Sequence, residues 1–274
     1  MARVALVTGS TDGIGRQTAR MLAAAGMHVI VHGRTKPRAE AALAALQAEL
    51  PGAVLQCVSF DLGSLASVRR GAEAVLAMAP ELHVLVNNAG IFATERSVTE
   101  DQLEGTLAVN HVGPFLLTEL LIPRLIASAT TAPSRVINVS SVAHTRGRLD
   151  NDLQLISNWT GYTAYAQSKL ANVMHALSLA DQHDPAKLVA YSLHPGVIGT
   201  KLLKQGFGPV QGASVETGAR SIVRLATEEA VTSRSGSYFS EGVETLPAAS
   251  ARDAKARERL WESSQRMAKL PARE

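Results

Sequence analysis

The first 25 residues constrain the fold most. A β-branched run, Arg3 to Thr8, meets the glycine cluster Gly9-Ser10-Thr11-Asp12-Gly13-Ile14-Gly15, and a helical pattern follows from Ile14 to Ala25. Glycine permits a tight turn and lets an anion come close to the backbone. The start of a helix adds unpaired N–H groups and the positive end of the helix dipole. Strand, glycines and helix in that order make a phosphate cradle. We therefore expect Gly9, Ser10, Thr11, Gly13, Ile14 and Gly15 to hold a dinucleotide pyrophosphate.

The rest of the chain repeats the alternation. Strand-like runs are Met27 to Val31, Ala53 to Val58, Val84 to Asn87, Arg135 to Ser140, Leu188 to Leu193 and a short Ser237 to Phe239. Helical patterns lie between them: Ala39 to Leu50, Ser64 to Met78, a long region opened by Thr99-Glu100-Asp101-Gln102 and running to about Ser128, Tyr162 to Asp181, and Ser214 to Ala226. A charged amphipathic helix, Arg252 to Met267, closes the chain. Strands alternating with helices predict an α/β, doubly wound parallel sheet with helices on both faces. No linker or repeat divides residues 1–274, so one domain is expected. The alternation breaks at about 142–161 and 196–212. Both stretches follow a strand, which puts them at the carboxyl edge of the sheet, where such folds bind ligands.

Composition narrows the function. Hydrophobic residues make up 46% of the 274, enough for a full core, and a net charge of +3 with dispersed cations argues against nucleic acid. A lone Cys57 cannot form an intramolecular disulfide or a cysteine zinc site, so we expect a reducing compartment, no metal, and Cys57 as buried filler. No signal-peptide pattern and no run of about 20 apolar residues stands out, which predicts a cytoplasmic protein without a membrane span.

The end of the second strand selects the cofactor. A carboxylate there would bind the ribose hydroxyls of NAD. The segment Val31-His32-Gly33-Arg34-Thr35-Lys36-Pro37-Arg38 has none and carries three cations. Arg34 is placed to fork onto a 2′-phosphate, with Lys36 or Arg38 as helpers, so NADP(H) is expected over NAD(H). Asp61, in Phe60-Asp61-Leu62, either accepts from an adenine amino group or caps the next helix. Asn87-Asn88-Ala89-Gly90 ends strand four with small residues that leave room for a cofactor.

Tyr165 and Lys169 are four residues apart on an expected helix and therefore share one face. A free phenol keeps its proton to about pH 10. A nearby ammonium favours the phenolate, so this pair suits a general acid or base. Tyr162 has Ala166, not a lysine, four residues on.

Together these motifs resemble the short-chain dehydrogenase/reductase family. The matches are Thr8-Gly9-x-x-x-Gly13-Ile14-Gly15, Asp61-Leu62, Asn87-Asn88-Ala89-Gly90, Asn110, Ser141, Tyr165-x-x-x-Lys169 and His194-Pro195-Gly196, in family order over roughly residues 3 to 200. Asn138-Val139-Ser140-Ser141-Val142-Ala143, the long gap before Tyr165, and Leu260-Trp261-Glu262-x-Ser264 are similar to the retinol-dehydrogenase-like branch, which includes WW-domain-containing oxidoreductases.

The resemblance implies a Rossmann fold with a seven-stranded parallel sheet. It implies a catalytic group of Asn110, Ser141, Tyr165 and Lys169, with Ser140 as the alternative to Ser141. Tyr165 would exchange a proton with the substrate oxygen. Lys169 would lower the tyrosine pKa and hold the nicotinamide ribose, and Ser141 would bind the substrate oxygen. Asn110 would hold a water in a proton relay. Pro195, Gly196 and Val197 would shape the nicotinamide loop, and Thr200 would bind the carboxamide or cap a helix. Asn88, Ala89, Gly90, Asp61 and Leu62 would complete the cofactor contacts.

The expected substrate is a hydrophobic aldehyde, ketone or alcohol, because Leu149, Leu153, Leu155, Ile156, Trp159, Leu202, Leu203 and Phe207 fall in the two interrupting segments. A different reading, a non-catalytic NADP-binding redox sensor, expects loss of the Tyr or Lys, and both are present. Family members form dimers or tetramers, and Ala171, Ala176 and Ala180 would permit close packing of the Tyr165 helix against a second copy.

Overall fold

The computed structural model describes residues 2–149, 152–228 and 235–271. The expected alternation is present from the first residues. The chain runs β1 (Val4–Val7), α1 (Gly13–Ala24), β2 (His28–Gly33), α2 (Lys36–Glu49), β3 (Leu55–Ser59), α3 (Leu65–Met78) and β4 (Val84–Asn87). A single long helix follows in three parts: α4 (Gly105–Leu107), a π-helical turn Ala108–Val112, and α5 (Gly113–Ser128). Then come β5 (Ser134–Val139), a 3-10 turn Val142–Arg146, α6 (Gly161–Gln182), β6 (Leu188–His194), α7 (Lys201–Phe207), α8 (Val215–Thr227), β7 (Tyr238–Ser240), β8 (Val243–Thr245), α9 (Ala249–Arg252) and α10 (Ala254–Met267).

Among the described residues, eight strands form one sheet in the order β3-β2-β1-β4-β5-β6-β7-β8. Seven run parallel, as expected, and β8 adds an antiparallel edge against β7. The strand order reverses between β1 and β4. That crevice is where a doubly wound sheet opens for a ligand.

The period-two alternation of side chains sorts the core into two layers. Val4 and Leu6 of β1 pack with α3, α5 and α6 on one face; Ala5 and Val7 pack with α1, α2 and α8 on the other. Leu85 and Val136 join the first layer, and Val86, Ile137 and Tyr191 the second. Both faces are covered, so the parallel strands are buried throughout, as a parallel sheet requires.

Four expectations change. Thr99–Gln102 does not open a helix. It forms a turn with Gln102 at φ +62, and the helix starts at Gly105 with the Glu104 carboxylate accepting from Leu107 N. The helical span Gly105–Ser128 is long and apolar enough to cross a membrane by length and composition, but 83% of its apolar window is buried in the fold. The terminal helical region is broken at Asp253, whose carboxylate caps α10 by accepting from Ala256 N. Cys57 is half-buried at the margin of the second core layer rather than enclosed.

Ala171 and Ala176 of α6 are already used within the chain, while Ala180 is half-buried. Ala171 packs in a cluster with Tyr238, Ala251 and Leu260, and Ala176 packs in the layer that includes Trp261 of α10.

Candidate active site

At the crevice between β1 and β4 lies a cavity of about 1030 Å³. Ligand pockets commonly measure about 300–1,000 Å³, so this one has room for a dinucleotide and a second small molecule. One end is lined by Gly9, Thr11, Gly13, Ile14, Gly15, Arg34, Arg38, Asp61 and Leu62; the other by Ser141, Tyr165, Lys169, Pro195, Gly196, Val197 and Thr200. Asn88, Ala89 and Gly90 lie between.

The glycine loop is built on close approach. Gly9 sits at φ +66, and a Cβ there would lie 2.8 Å from Ala89 Cα. A Cβ at Gly15 would collide with the Gly9 carbonyl and the Asn88 amide. Thr8 joins the ends of β1 and β4: its hydroxyl donates to Val86 O and accepts from Asn88 N and Ala89 N. The Asn88 side chain donates back to Thr8 O at 2.9 Å. Asp12 caps α1 by accepting from Gly13 N.

Ser10 does not line the cavity. It is fully buried, donates to Val7 O at 2.7 Å and accepts from His32 N at 2.8 Å. It holds the loop from beneath. His32 is a further support absent from the sequence reading. Its Nε2 lies 2.9 Å from Phe60 O, and a carbonyl only accepts, so Nε2 carries the proton. The bare Nδ1 then accepts from Gly9 N at 2.9 Å. Burial pushes this imidazole down to about 4, which keeps it in the neutral state these two bonds need.

Asp61 is not the helix cap. Its Oδ1 accepts from Gly63 N at 2.8 Å, while Ser64 caps α3 and Asp101 accepts from Leu65 N. Arg34 is exposed at the cavity wall and, among the described residues, has no ion-pair or hydrogen-bond partner. Arg38 lines the cavity beside it, whereas Lys36 turns away to Glu40 at 3.8 Å.

The other end carries the tyrosine. Thr160 and Thr163 make a reciprocal capping box that starts α6 at Gly161. One turn further, Tyr165 and Lys169 are both almost fully buried, with Lys169 Nζ 5.5 Å from the phenol ring centroid. Lys169 Nζ donates to Val139 O at 3.0 Å. Burial pushes the phenol up to about 12, partly opposed by its hydrogen bond with Ser141, and pushes the ammonium down to about 8. The expected lowering of the phenol by Lys169 does not show at rest: desolvation dominates, and Tyr165 is held as a protonated phenol. Ser140 is spent on Lys169 O at 2.7 Å, which leaves Ser141 as the serine at the tyrosine.

Asn110 does not line the cavity. It lies in the π-helical turn, fully buried. Its amide donates to Ile91 O and Ser168 Oγ, and its Oδ1 accepts from Ile91 N. It therefore clamps the loop after β4 to the catalytic helix. Pro114 has no N–H to give the Asn110 carbonyl, and the helix widens to π form just before it.

The two segments expected around the substrate behave differently. Leu202, Leu203 and Phe207 line the cavity, with Val142 and Tyr162. None of the described residues of 147–161 lines its wall. Leu149 and Leu153 pack against the α6–α10 cluster, Ile156 is 76% exposed, and Trp159 Nε1 donates to Glu104 Oε1 at 3.0 Å. Leu155 sits in a turn at φ +49. Residues 150 and 151 of this segment lie outside the described residues. Thr200 caps α7 by accepting from Leu203 N while lining the cavity.

Residues 3–208 match the short chain dehydrogenase family. The chain belongs to this family. Dehydrogenase/reductase SDR family member 13 from Bos taurus is 41% identical over 98% of this chain and 74% of its own length. Retinol dehydrogenase 12 from Bos taurus is 38% identical over 96% of this chain and 85% of its own. A crystal structure of an uncharacterized protein from Mycobacterium paratuberculosis superposes with a TM-score of 0.81 at 31% identity, covering 98% of this chain and 95% of that one. The dehydrogenase thus falls in the retinol-dehydrogenase-like branch, and it is an oxidoreductase of CH–OH groups that uses a nicotinamide cofactor.

Phe92, like His32, supports the site without a motif that marks it in the sequence. This ring lies between Gly161 and Gly206, at either of which a Cβ would press on it, and its centroid is 5.5 Å from those of both Tyr165 and Phe207. The available signal was weak: Phe92 follows Asn87-Asn88-Ala89-Gly90-Ile91, and His32 is a polar residue ending an otherwise apolar strand.

Proposed function

We propose that this dehydrogenase interconverts a hydrophobic aldehyde or ketone and its alcohol with NADP(H), and that Tyr165 is the general acid and base. The observation that carries this reading is one cavity with a guanidinium, Arg34, that is unpaired among the described residues at one end and the Tyr165, Ser141 and Lys169 group at the other. The residues present fit the cofactor. Gly9, Gly13 and Gly15 line the cavity, with no room for a Cβ at Gly9 or Gly15, and the cation pair Arg34 and Arg38 suits a 2′-phosphate. When bound, NADP(H) supplies or accepts the hydride.

The chain's own residues manage the oxygen. Ser141 gives a hydrogen bond to the carbonyl oxygen and stabilises the charge that grows there. Tyr165, protonated because it is buried, gives its proton to that oxygen as carbon gains hydride; in alcohol oxidation it takes the proton back. Lys169 meets the resulting phenolate as a cation and draws its pKa down from the resting value. Asn110 fixes the catalytic helix against the loop after β4. The apolar wall of Leu202, Leu203, Phe207 and Tyr162 excludes water and selects hydrophobic substrates.

The test is NADPH oxidation with straight-chain aldehydes from hexanal to dodecanal, benzaldehyde and cinnamaldehyde. Tyr165→Phe should lower kcat on the fastest of them about 10²–10⁴-fold, leaving NADPH affinity unchanged. A Tyr165→Phe enzyme at near wild-type rate would remove Tyr165 from the proton transfer.

A further inference from the structure

We propose that His144 is a positioning residue for Ser141: it ties the Ser141 peptide to the segment that enters α9 and so sets where the Ser141 hydroxyl stands beside Tyr165. The proposal rests on the roles given above to Tyr165 and Ser141.

His144 lies on the 3-10 turn Val142–Arg146, three residues after Ser141, and is 2% exposed. Its Nδ1 is 2.8 Å from Ser141 O. That carbonyl can only accept, so Nδ1 carries the proton and Nε2 is bare. Nε2 accepts from Ala248 N at 3.1 Å. Both bonds exist together only in this neutral tautomer. The ring is also held by Tyr238, centroid to centroid 4.7 Å.

The same turn shapes what Ser141 can do. Ser141 Oγ accepts from Ala143 N at 3.2 Å, which fixes the hydroxyl oxygen at the cavity wall it shares with Tyr165 and leaves its own proton to be donated. On the other side the turn presses on α6: a Cβ at Gly147 would lie 2.7 Å from Leu170 Cβ and 2.5 Å from Ala166 O. The turn is therefore wedged between the catalytic helix and the C-terminal segment. His144 is the side chain that spans the second gap.

Adding a proton to Nε2 would set two donors against each other at Ala248. The titratable groups facing the ring are His194 on β6 and Tyr238 on β7, with Glu241 acting on His194 from the β7–β8 turn. At the end of the turn, α6 presents the uncharged Ala166 and Leu170, and the α9 side presents a backbone N–H. Burial holds His144 below the ordinary histidine value.

The experiment uses the full chain, NADPH and the fastest aldehyde of the screen above. His144→Phe keeps a ring and removes both bonds; His144→Asn keeps a donor on the Ser141 side. His144→Phe should lower kcat about 10–100-fold, the scale of a small misplacement of a catalytic group, with KM and NADPH affinity within twofold. His144→Asn should recover part of that loss. The wild-type kcat should fall at acid pH as His144 takes up a proton, and that fall should flatten in both variants.

Ser141→Ala then separates the two layers of the argument. If His144 acts through Ser141, adding His144→Phe to Ser141→Ala should cost little more. Equal cost in both backgrounds, or kcat of folded His144→Phe within twofold of wild type, overturns the proposal while a slow Ser141→Ala keeps the Ser141 reading. A fast Ser141→Ala overturns both. Should His144→Phe fail to fold, His144→Asn at wild-type kcat with an unchanged acid limb overturns it.

Discussion

The two ends of the cavity are built differently. The nucleotide end is made of strand ends and their first turns, and each piece is held by buried polar bonds: Thr8 to Val86, Ser10 to Val7, His32 to Gly9 and Phe60. The substrate end is covered by α7, which has no buried residue. The segment carrying α7 is pinched at its base, where Gly199 N donates to Ala213 O and Ala213 N to Val197 O. Past that point it rests on Phe207, whose centroid is 6.1 Å from those of Tyr162 and Tyr165, and on an exposed ion pair between Lys201 and Asp12 at 2.5 Å. Exposed pairs of this kind contribute about 0–1 kcal/mol. A cofactor common to a family can be met by a fixed cradle, whereas the cover over the substrate is held by few contacts and is free to change.

If that contrast is right, a change at a buried group beneath the cover, unlike one in the cover itself, should register in stability. Lys169 gives the largest expected effect. Its folded value of about 8 lies below the ordinary 10.5, so the folded state carries a cost of about 3 kcal/mol wherever the lysine is charged. Between pH 8 and 10.5 the unfolded chain binds the proton and the folded chain does not, so stability should rise with pH across that window. Below pH 8 the full cost is present. Lys169→Met should therefore abolish turnover and raise unfolding free energy at pH 7 by about 2–3 kcal/mol, read by urea denaturation. A destabilised Lys169→Met would mean that the bond to Val139 O outweighs the burial.

The legibility of the sequence follows the same divide. The parallel sheet was readable because both faces are buried and the apolar runs are continuous, from Val4–Val7 to Leu188–His194. The glycine cradle was readable because close approach admits few residue types. Tyr165 and Lys169 were readable because one helical turn fixes their relation. His32, Phe92 and His144 were not, since their work depends on partners 23, 73 and 104 residues away. The stretch 147–161 misled because apolar content says that a residue is buried, not against what; Leu149 and Leu153 found the C-terminal helix instead of the cavity. Thr99–Gln102 misled because its spacing fits a cap, but the buried Glu104 serves as one.

Arg34 sharpens the comparison from the other direction. It belongs to the fixed end, yet its own side chain is exposed and unpaired among the described residues. Arg34→Ala should leave stability within about 0.5 kcal/mol. A charged hydrogen bond contributes about 1.5–3 kcal/mol, so NADPH affinity should fall about 10–100-fold while NADH affinity holds. Titration of both cofactors by fluorescence decides it: an equal loss for both would place the cofactor's discriminating phosphate elsewhere, with Arg38 the next candidate.

The smallest effect on stability is expected where the cover meets the tyrosine. Phe207 is 38% exposed and its ring meets those of Phe92, Tyr162 and Tyr165. Truncating it uncovers little core, so Phe207→Ala should lower unfolding free energy by less than about 1 kcal/mol. Its loss removes one apolar wall beside the reacting oxygen. KM for dodecanal should rise about tenfold, the scale of apolar pocket contacts, with little change for hexanal, whose shorter chain reaches less of the wall. A parallel rise for both aldehydes would mean that Phe207 positions Tyr165 rather than the substrate chain. A large loss of stability would instead make α7 part of the fixed frame, and the distinction between cradle and cover would fail.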